Sequence, residues 1–193
     1  MSATVAPAHP DDRGLSLIEL IVVVVLVGTL SGVIVMILVN SWNTQKDVNS
    51  TTTATNAGQV FGSSLERAVR NADAIVIESI GTDSVVRVHT ILGGQQTCQA
   101  FRIGPGLHEK VGGAATLVSS SGSLTWRGPF IPNNVSTSGA PFSHPAPPGD
   151  PTGTPDPRTI DYAFEIETDV SPIHFSGSVS ARNALTGDIS TCY

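Results

Sequence analysis

The feature that most constrains this chain is an apolar run near the N terminus, residues 15–39, in which residues 20–39 carry no charge. As an α-helix these 25 residues would extend about 37 Å, which is enough to cross a hydrocarbon core of about 30 Å. The core helix of a water-soluble domain is an alternative, but a run this long would leave much apolar surface in water. The sequence therefore predicts a membrane-spanning helix.

A cleaved secretory signal peptide is a second alternative for the same run. Its apolar region would have roughly 7–15 residues, followed by small residues at an Ala-x-Ala cleavage site. Here the run is longer, and Ser41, Trp42 and Asn43 follow it without such a site. Trp42 suits the outer membrane interface, where an indole ring lies among headgroups with its N–H hydrated. We therefore expect the segment to be retained.

Glu19 is the one charged residue inside the apolar run. An ionised carboxylate costs roughly 2.5–3.5 kcal/mol at the centre of a membrane helix, and less near an end, where it can reach the interface. The run contains no lysine or arginine that could neutralise it. A cut between Gly14 and Leu15 would create an α-ammonium group, with a reference pKa of about 7.7–8.0, four residues before Glu19. The two charges would lie about 6 Å apart along one helix, or would pair between two helices offset by about one turn.

The stretch RGLSLIEL, residues 13–20, closely resembles the prepilin processing site of type IV pilins and type II secretion pseudopilins. In that family a short polar leader ends in glycine, an apolar residue follows, and glutamate occupies the fifth mature position. The resemblance covers residues 13–40 and implies cleavage after Gly14 by a prepilin peptidase, with N-methylation of Leu15. It also implies that Glu19 neutralises the terminal amine of a neighbouring subunit during assembly.

The sequence departs from the family pattern in two respects. Leu15 stands where phenylalanine is commoner, and a proline often found midway along the pilin helix is absent, so nothing in the run predicts a kink. The charges flanking the helix are balanced, because Arg13 is opposed by Asp11 and Asp12 while Lys46 lies on the other side. The expected orientation, with a cytoplasmic leader and an external domain, therefore comes from the resemblance rather than from the positive-inside rule.

Gly28 and Gly32 form a GxxxG pattern within the apolar run. Glycines at this spacing lie on one face of a helix and allow a second helix to approach closely in lipid. Chance spacing of two glycines explains the pattern equally well. In a pilin-like filament, the resulting groove would face the apolar helices of neighbouring subunits.

The remaining sequence predicts a helix and then a sheet. Residues 41–58 are polar and threonine-rich, with poor helix propensity, which leaves open whether one helix continues through them. Apolar residues recur at helical spacing over residues 59–71, and strand alternation then flanks a predicted hairpin turn at residues 81–84. The expected fold class is α+β, with a long N-terminal helix, transmembrane and then amphipathic, packed on an antiparallel β-sheet as in pilins. Further strands are predicted at residues 97–104, 115–120, 123–128, 159–168 and 173–181.

Proline dominates one stretch of the C-terminal half. Nine of the thirteen prolines lie within residues 129–157, together with many glycine, serine and threonine residues. Such a composition disfavours long strands or helices and predicts an extended, exposed loop. The loop would serve either as a surface for partners or adhesion, or as a tolerated insertion with no function of its own.

Cys98 and Cys192 are the two cysteines of the chain, and no CxxC or Cys/His cluster accompanies them. A pair this far apart fits one disulfide in an exported domain about as well as two unrelated thiols. The predicted membrane segment indicates export and so favours the disulfide.

Composition argues against nucleic-acid binding and reveals no catalytic constellation. The net charge is −6, whereas a protein that binds a phosphate backbone is normally basic. The five histidines are scattered without metal-ligand spacing. Ser143 and His144 lie near Asp150, but in the proline-rich stretch and without a GxSxG elbow. Asp150, Asp156 and Asp161 lack EF-hand spacing, so solvated carboxylates are the favoured interpretation over a calcium site.

Together these features predict a non-enzymatic filament subunit, a minor pilin or pseudopilin, with no cofactor. Its expected partners are other pilin or pseudopilin subunits, a prepilin peptidase, an inner-membrane assembly platform and membrane lipid; nothing indicates nucleic acid. We expect a single-pass protein of the cytoplasmic membrane that later enters a surface or periplasmic filament. The alternative is a membrane-anchored external binding domain that never polymerises, and the pattern does not distinguish pilus, secretion and DNA-uptake machines. The predicted divisions are a leader at 1–14, a transmembrane helix at 15–40, the external part of the helix at 41–73, and a β-rich domain at 74–193.

Overall fold

The computed structural model describes residues 16–92, 95–113, 127–131, 134–149 and 152–192. The chain divides into two compact units, residues 1–46 and 47–193. One continuous helix, α1 (Leu17–Arg70), supplies the described structure of the first unit and opens the second. The threonine-rich stretch, whose conformation the sequence left open, is therefore helical.

In the first unit, α1 presents apolar side chains on all sides. The large apolar side chains between Leu17 and Val39 are each 49–77% exposed. Within the described residues, α1 is the one helix long and apolar enough to cross a membrane, judged by length and composition. A helix suits that role because it satisfies its own backbone hydrogen bonds without water.

In the second unit, α1 buries one stripe and ends at Arg70. The end is capped by the Asn71 side chain, whose Nδ2 donates to the Arg67 carbonyl at 2.7 Å. The buried residues recur every three or four positions, as an amphipathic helix requires. They are Ala54, Gly58, Phe61, Gly62, Leu65, Ala68 and Val69.

The first sheet is an antiparallel meander in which strands that follow one another in sequence pair side by side. The predicted hairpin is confirmed, but its turn is shorter than expected: Gly81 adopts a left-handed φ of 66°, and pairing resumes at Asp83. The strands are β1 (Ala72–Ile80), β2 (Asp83–Leu92), β3 (Gln95–Ile103), β4 (Leu107–Gly113) and β5 (Arg127–Ile131). The strand predicted at 115–120 lies outside the described residues, as do residues 123–126 of the strand predicted at 123–128, whose last two residues belong to β5.

A second antiparallel sheet, which the sequence did not predict as separate, is organised around one strand. β8 (Thr159–Ile166) pairs with β9 (Ile173–Ser180) on one edge, and with β6 (Val135–Ser136) and β7 (Phe142–Ser143) on the other. The end of β5 (residues 129–131), β6 and β7 lie within the stretch that we expected to be an exposed loop, so that prediction is wrong for these residues; Phe142 is buried there. β6 and β7 are only two residues long and contain no proline, whereas Pro129 lies in β5 at the end of the first sheet's strand order, where a missing N–H is tolerated.

The core of the second unit lies between α1 and the two sheets. Phe61 of α1 contacts Phe101 and Phe164 edge-to-face, with ring centroids 5.8 and 5.6 Å apart. Phe175 stacks on Phe164 at 5.2 Å. The opposite face of the first sheet packs against a short 3-10 helix, Ile189–Cys192, through a separate cluster that includes Val85. A long N-terminal helix on antiparallel sheet confirms the α+β, pilin-like fold class.

Candidate assembly site

The predicted processing residues lie at the boundary of the described chain. Gly14 and Leu15 are outside the described residues, so the structure places neither of them. The described residues begin at Ser16. Its carbonyl accepts the first hydrogen bond of the helix, from the Leu20 amide at 3.1 Å. The roles of Gly14 and Leu15 therefore remain predictions.

Glu19 lies in the first turn of α1 and is exposed. From Leu17 to Gln45 it is the one charged residue, and its neighbours Ile18 and Leu20 are apolar and more than half exposed. In the described part of the chain Glu19 takes part in no ion pair. Glu19 is therefore a carboxylate on an apolar surface. It is available to pair with a cation that the described residues do not supply.

Gly28 and Gly32 lie on the exposed part of α1. A Cβ atom added at either position would meet no described atom within 4 Å. Thr29, next to Gly28, turns its hydroxyl back to the Leu26 carbonyl at 2.9 Å, so it does not present an unsatisfied donor. Both glycines are therefore exposed with open space beside them, and their role in assembly remains a prediction.

The apolar surface around these residues is much larger in area than the surface of a single exposed leucine. Contiguous apolar patches beyond a few hundred Å² are rare on soluble monomers and mark a membrane or protein contact. The part of α1 within the first unit exposes every large apolar side chain from Leu17 to Val39. Lipid or other helices must cover such a surface in the cell.

Gly58 and Gly62 repeat the GxxxG spacing farther along α1, and sequence reasoning overlooked this second pair. The Phe175 ring lies against Gly58, and a Cβ at Gly62 would come within 3.1 Å of the Tyr162 hydroxyl oxygen. These glycines serve packing inside the domain rather than assembly. The signal was present, because both glycines fall on the apolar stripe of the helix.

Cys98 and Cys192 form a disulfide with their Cα atoms 5.6 Å apart. It joins β3 to the 3-10 helix near the C terminus, across 94 positions of sequence. Arg87, which is buried, donates from Nη1 to the Cys192 carbonyl at 3.3 Å and pairs with Glu78. The disulfide, which was the favoured interpretation of the two cysteines, is therefore confirmed.

Two of the residues considered for catalysis or calcium binding, His144 and Asp156, have structural partners. His144 Nδ1 lies 2.8 Å from the Thr159 carbonyl. Asp156 accepts hydrogen bonds from the Arg158 amide and the Thr159 hydroxyl, and these bonds hold the pKa of Asp156 below its usual value. Asp150 lies outside the described residues. Among the residues that are described, no three His, Cys, Asp or Glu side chains are grouped to hold a metal ion.

Comparison with known families adds one finding to this arrangement. Residues 10–35 match the family model for the prokaryotic N-terminal methylation motif, which is the type IV pilin signature. No curated protein and no solved structure matches the chain significantly. The chain thus carries the type IV pilin signature ahead of a pilin-like α+β fold. The motif points to a structural protein made as a membrane-anchored precursor, and it implies processing by a prepilin peptidase and pilin-type partners in general.

Proposed function

We propose that the chain is a minor pilin or pseudopilin, a subunit of a type IV pilus-like or type II secretion-like filament. It is cut after Gly14, methylated at Leu15 and assembled through α1. The observation that carries this proposal is Glu19, a solitary carboxylate on an exposed apolar helix, five positions after the predicted cut. A neighbouring subunit's α-ammonium group is the cation that processing would supply.

Pairing between subunits explains Glu19 better than a local role does. A carboxylate in the first turn also interacts favourably with the helix N terminus, but that effect is about 0.3–1 kcal/mol. Exposing a charge to the hydrocarbon core costs about 2.5–3.5 kcal/mol at the helix centre and less near an end, where Glu19 lies. An intersubunit ion pair would offset this cost only when subunits lie in one register, so the pair would also set the offset between helices.

Glu19→Ala tests the proposal directly. We expect normal membrane insertion but at least about tenfold less protein in purified filaments, because an unneutralised ammonium group would remain among apolar helices. Ser31→Ala is the matched control, since Ser31 is also an exposed polar residue of the apolar part of α1. Immunoblots of membrane and sheared filament fractions measure both steps. Wild-type incorporation of Glu19→Ala would contradict the charge-pairing account.

A substitution at the predicted cleavage position tests processing separately. Gly14→Ala is expected to stop removal of the leader, so the variant should keep the mass of the precursor. The intact mass of the membrane protein distinguishes the two forms. A mature product identical to that of the wild type would show that the cut lies elsewhere, and would leave the Glu19 experiment to be interpreted on its own.

A further inference from the structure

The outer face of the second sheet contains a cleft that filament assembly does not explain. Along β8 and β9, alternate residues point away from the core, and the register pairs Thr159 with Ser180 and Asp161 with Ser178. Two cavities of about 360 and 510 Å³ lie on this face and share Asp161 and Ser178. Their combined size is within the range of small-molecule sites.

The proline-rich stretch forms one wall of the larger cavity, through residues 145–148. Two contacts hold the wall in place, one within the proline-rich stretch and one to β8. Asp156 donates its backbone N–H to the Pro145 carbonyl at 2.8 Å, and His144 Nδ1 lies 2.8 Å from the Thr159 carbonyl. The stretch that composition predicted to be a loop therefore presents a fixed apolar surface opposite the polar side chains of the sheet.

Hydroxyl groups dominate the polar lining of the two cavities. Thr159 donates to Asp156 and lies 2.8 Å from the Ser180 hydroxyl, so these three groups form a chain whose remaining lone pairs accept hydrogen bonds. No lysine, arginine or histidine is among the described residues that line either cavity. The remaining lining serines are Ser143, Ser176 and Ser178, and Tyr162 also lines the smaller cavity, with its hydroxyl donating to Glu66.

Asp161 lies where the two cavities meet, and one of its carboxylate oxygens, Oδ1, is buried. Among the described residues, this oxygen has no hydrogen-bond partner. A buried acceptor without a donor is costly, so native structures usually supply one from protein, water or a ligand. The carboxylate of Asp156 already accepts two hydrogen bonds. Asp161 is half-buried and lines both cavities, so its carboxylate is the one left to accept from a ligand there.

We propose that this cleft binds a neutral saccharide of one or two rings. Sugar hydroxyls both donate and accept, as the serine and threonine side chains do, and one of them would donate to Asp161. The C–H face of the ring would pack on residues 145–148. A lysine side chain from a protein partner fits less well, because it would fill little of the cavity and would find only one carboxylate without other partners.

Titration of the full chain with sugars tests the proposal. The protein is held in a phosphocholine detergent, since maltoside detergents carry the same ligand class. The probes are glucose, galactose, mannose, N-acetylglucosamine and their common disaccharides, with Nα-acetyl-lysine amide as the peptide-type probe. We expect at least one sugar to give saturable amide shifts at Asp161 and Ser178 in ¹⁵N NMR spectra.

Two variants locate the binding. Asp161→Ala and Ser178→Val should each weaken sugar binding about tenfold, because each removes a hydrogen-bonding group. Ser79→Val, an exposed strand serine of the first sheet, is the control and should bind as the wild type does. Unchanged spectra with every sugar, equal binding by Ser178→Val and Ser79→Val, or shifts with the lysine probe alone would each overturn the proposal. None of these outcomes bears on cleavage or filament assembly.

Discussion

At the scale of residues, two glycine pairs of equal spacing occupy different environments in α1. Gly28 and Gly32 have no described atom near the position of a Cβ, whereas Gly58 and Gly62 lie against the rings of Phe175 and Tyr162. A glycine costs about 1 kcal/mol relative to alanine inside a helix. At Gly58 that cost is offset by the close approach of an aromatic ring, so the pair belongs to the core of the domain.

Gly58→Ala is expected to lower the free energy of unfolding of the second unit by about 1–3 kcal/mol, since the new methyl group overlaps the Phe175 ring. Gly28→Ala is the matched control, because the same change is made in the same helix where nothing lies within 4 Å. Denaturant unfolding followed by near-ultraviolet circular dichroism measures both. Equal midpoints for the two variants would contradict the packing described for Gly58.

His108 predicts a pH dependence. Burial and then the nearby Arg102 guanidinium lower the pKa of His108 from its usual 6.5. Below pH 6.5 His108 binds a proton in the unfolded chain more readily than in the folded protein. Stability therefore falls as the pH decreases from 6.5 towards the lower pKa that His108 has in the folded state. His108→Gln should flatten this part of a stability–pH curve. A His108→Gln variant whose stability–pH curve has the wild-type slope between pH 7 and pH 5 would contradict this role of His108.

At the scale of elements, the sequence could predict those strands whose pattern is local. The alternation on either side of Gly81 predicted the hairpin of β1 and β2. Alternation at residues 159–168 and 173–181 likewise predicted β8 and β9. β6 and β7 could not be predicted, because strands of two residues have no pattern and exist through their pairing with β8.

The threonine-rich part of α1 shows tertiary contacts overriding weak propensity. Its residues are poor helix formers, yet the helix is continuous there. Ala54 is buried against the core, and the Thr55 hydroxyl donates to the Thr51 carbonyl at 2.8 Å. Packing of one face and satisfied side chains therefore stabilise what local sequence alone left undecided.

The disulfide is expected to contribute strongly to the stability of the second unit. Closing a loop of 94 positions lowers the conformational entropy of the unfolded chain. In the chain-entropy treatment this stabilises the folded state by about 4–5 kcal/mol. The double variant Cys98→Ala, Cys192→Ala should therefore unfold at a markedly lower denaturant concentration. Wild type treated with dithiothreitol is the parallel sample, and the double variant should not respond to that reagent. A midpoint equal to that of the oxidised wild type would contradict this role.

At the scale of the whole molecule, the two units have different surfaces. The first exposes its large apolar side chains from Leu17 to Val39, whereas the second has a buried apolar core that includes Phe61. The candidate assembly site could be proposed from sequence alone, because Glu19 is exceptional within a local run, and its role remains a prediction. The cleft could not, since Asp161, Ser178 and residues 145–148 come together only through the pairing of β7, β8 and β9.

The N terminus of the protein isolated from membranes tests the central claim most directly. Processing after Gly14 would remove residues 1–14 and leave a chain that begins at Leu15. We predict that intact mass and N-terminal peptide sequencing will show a chain beginning at N-methylated Leu15. A chain that retains residues 1–14, or one that begins at any other residue, would contradict the account.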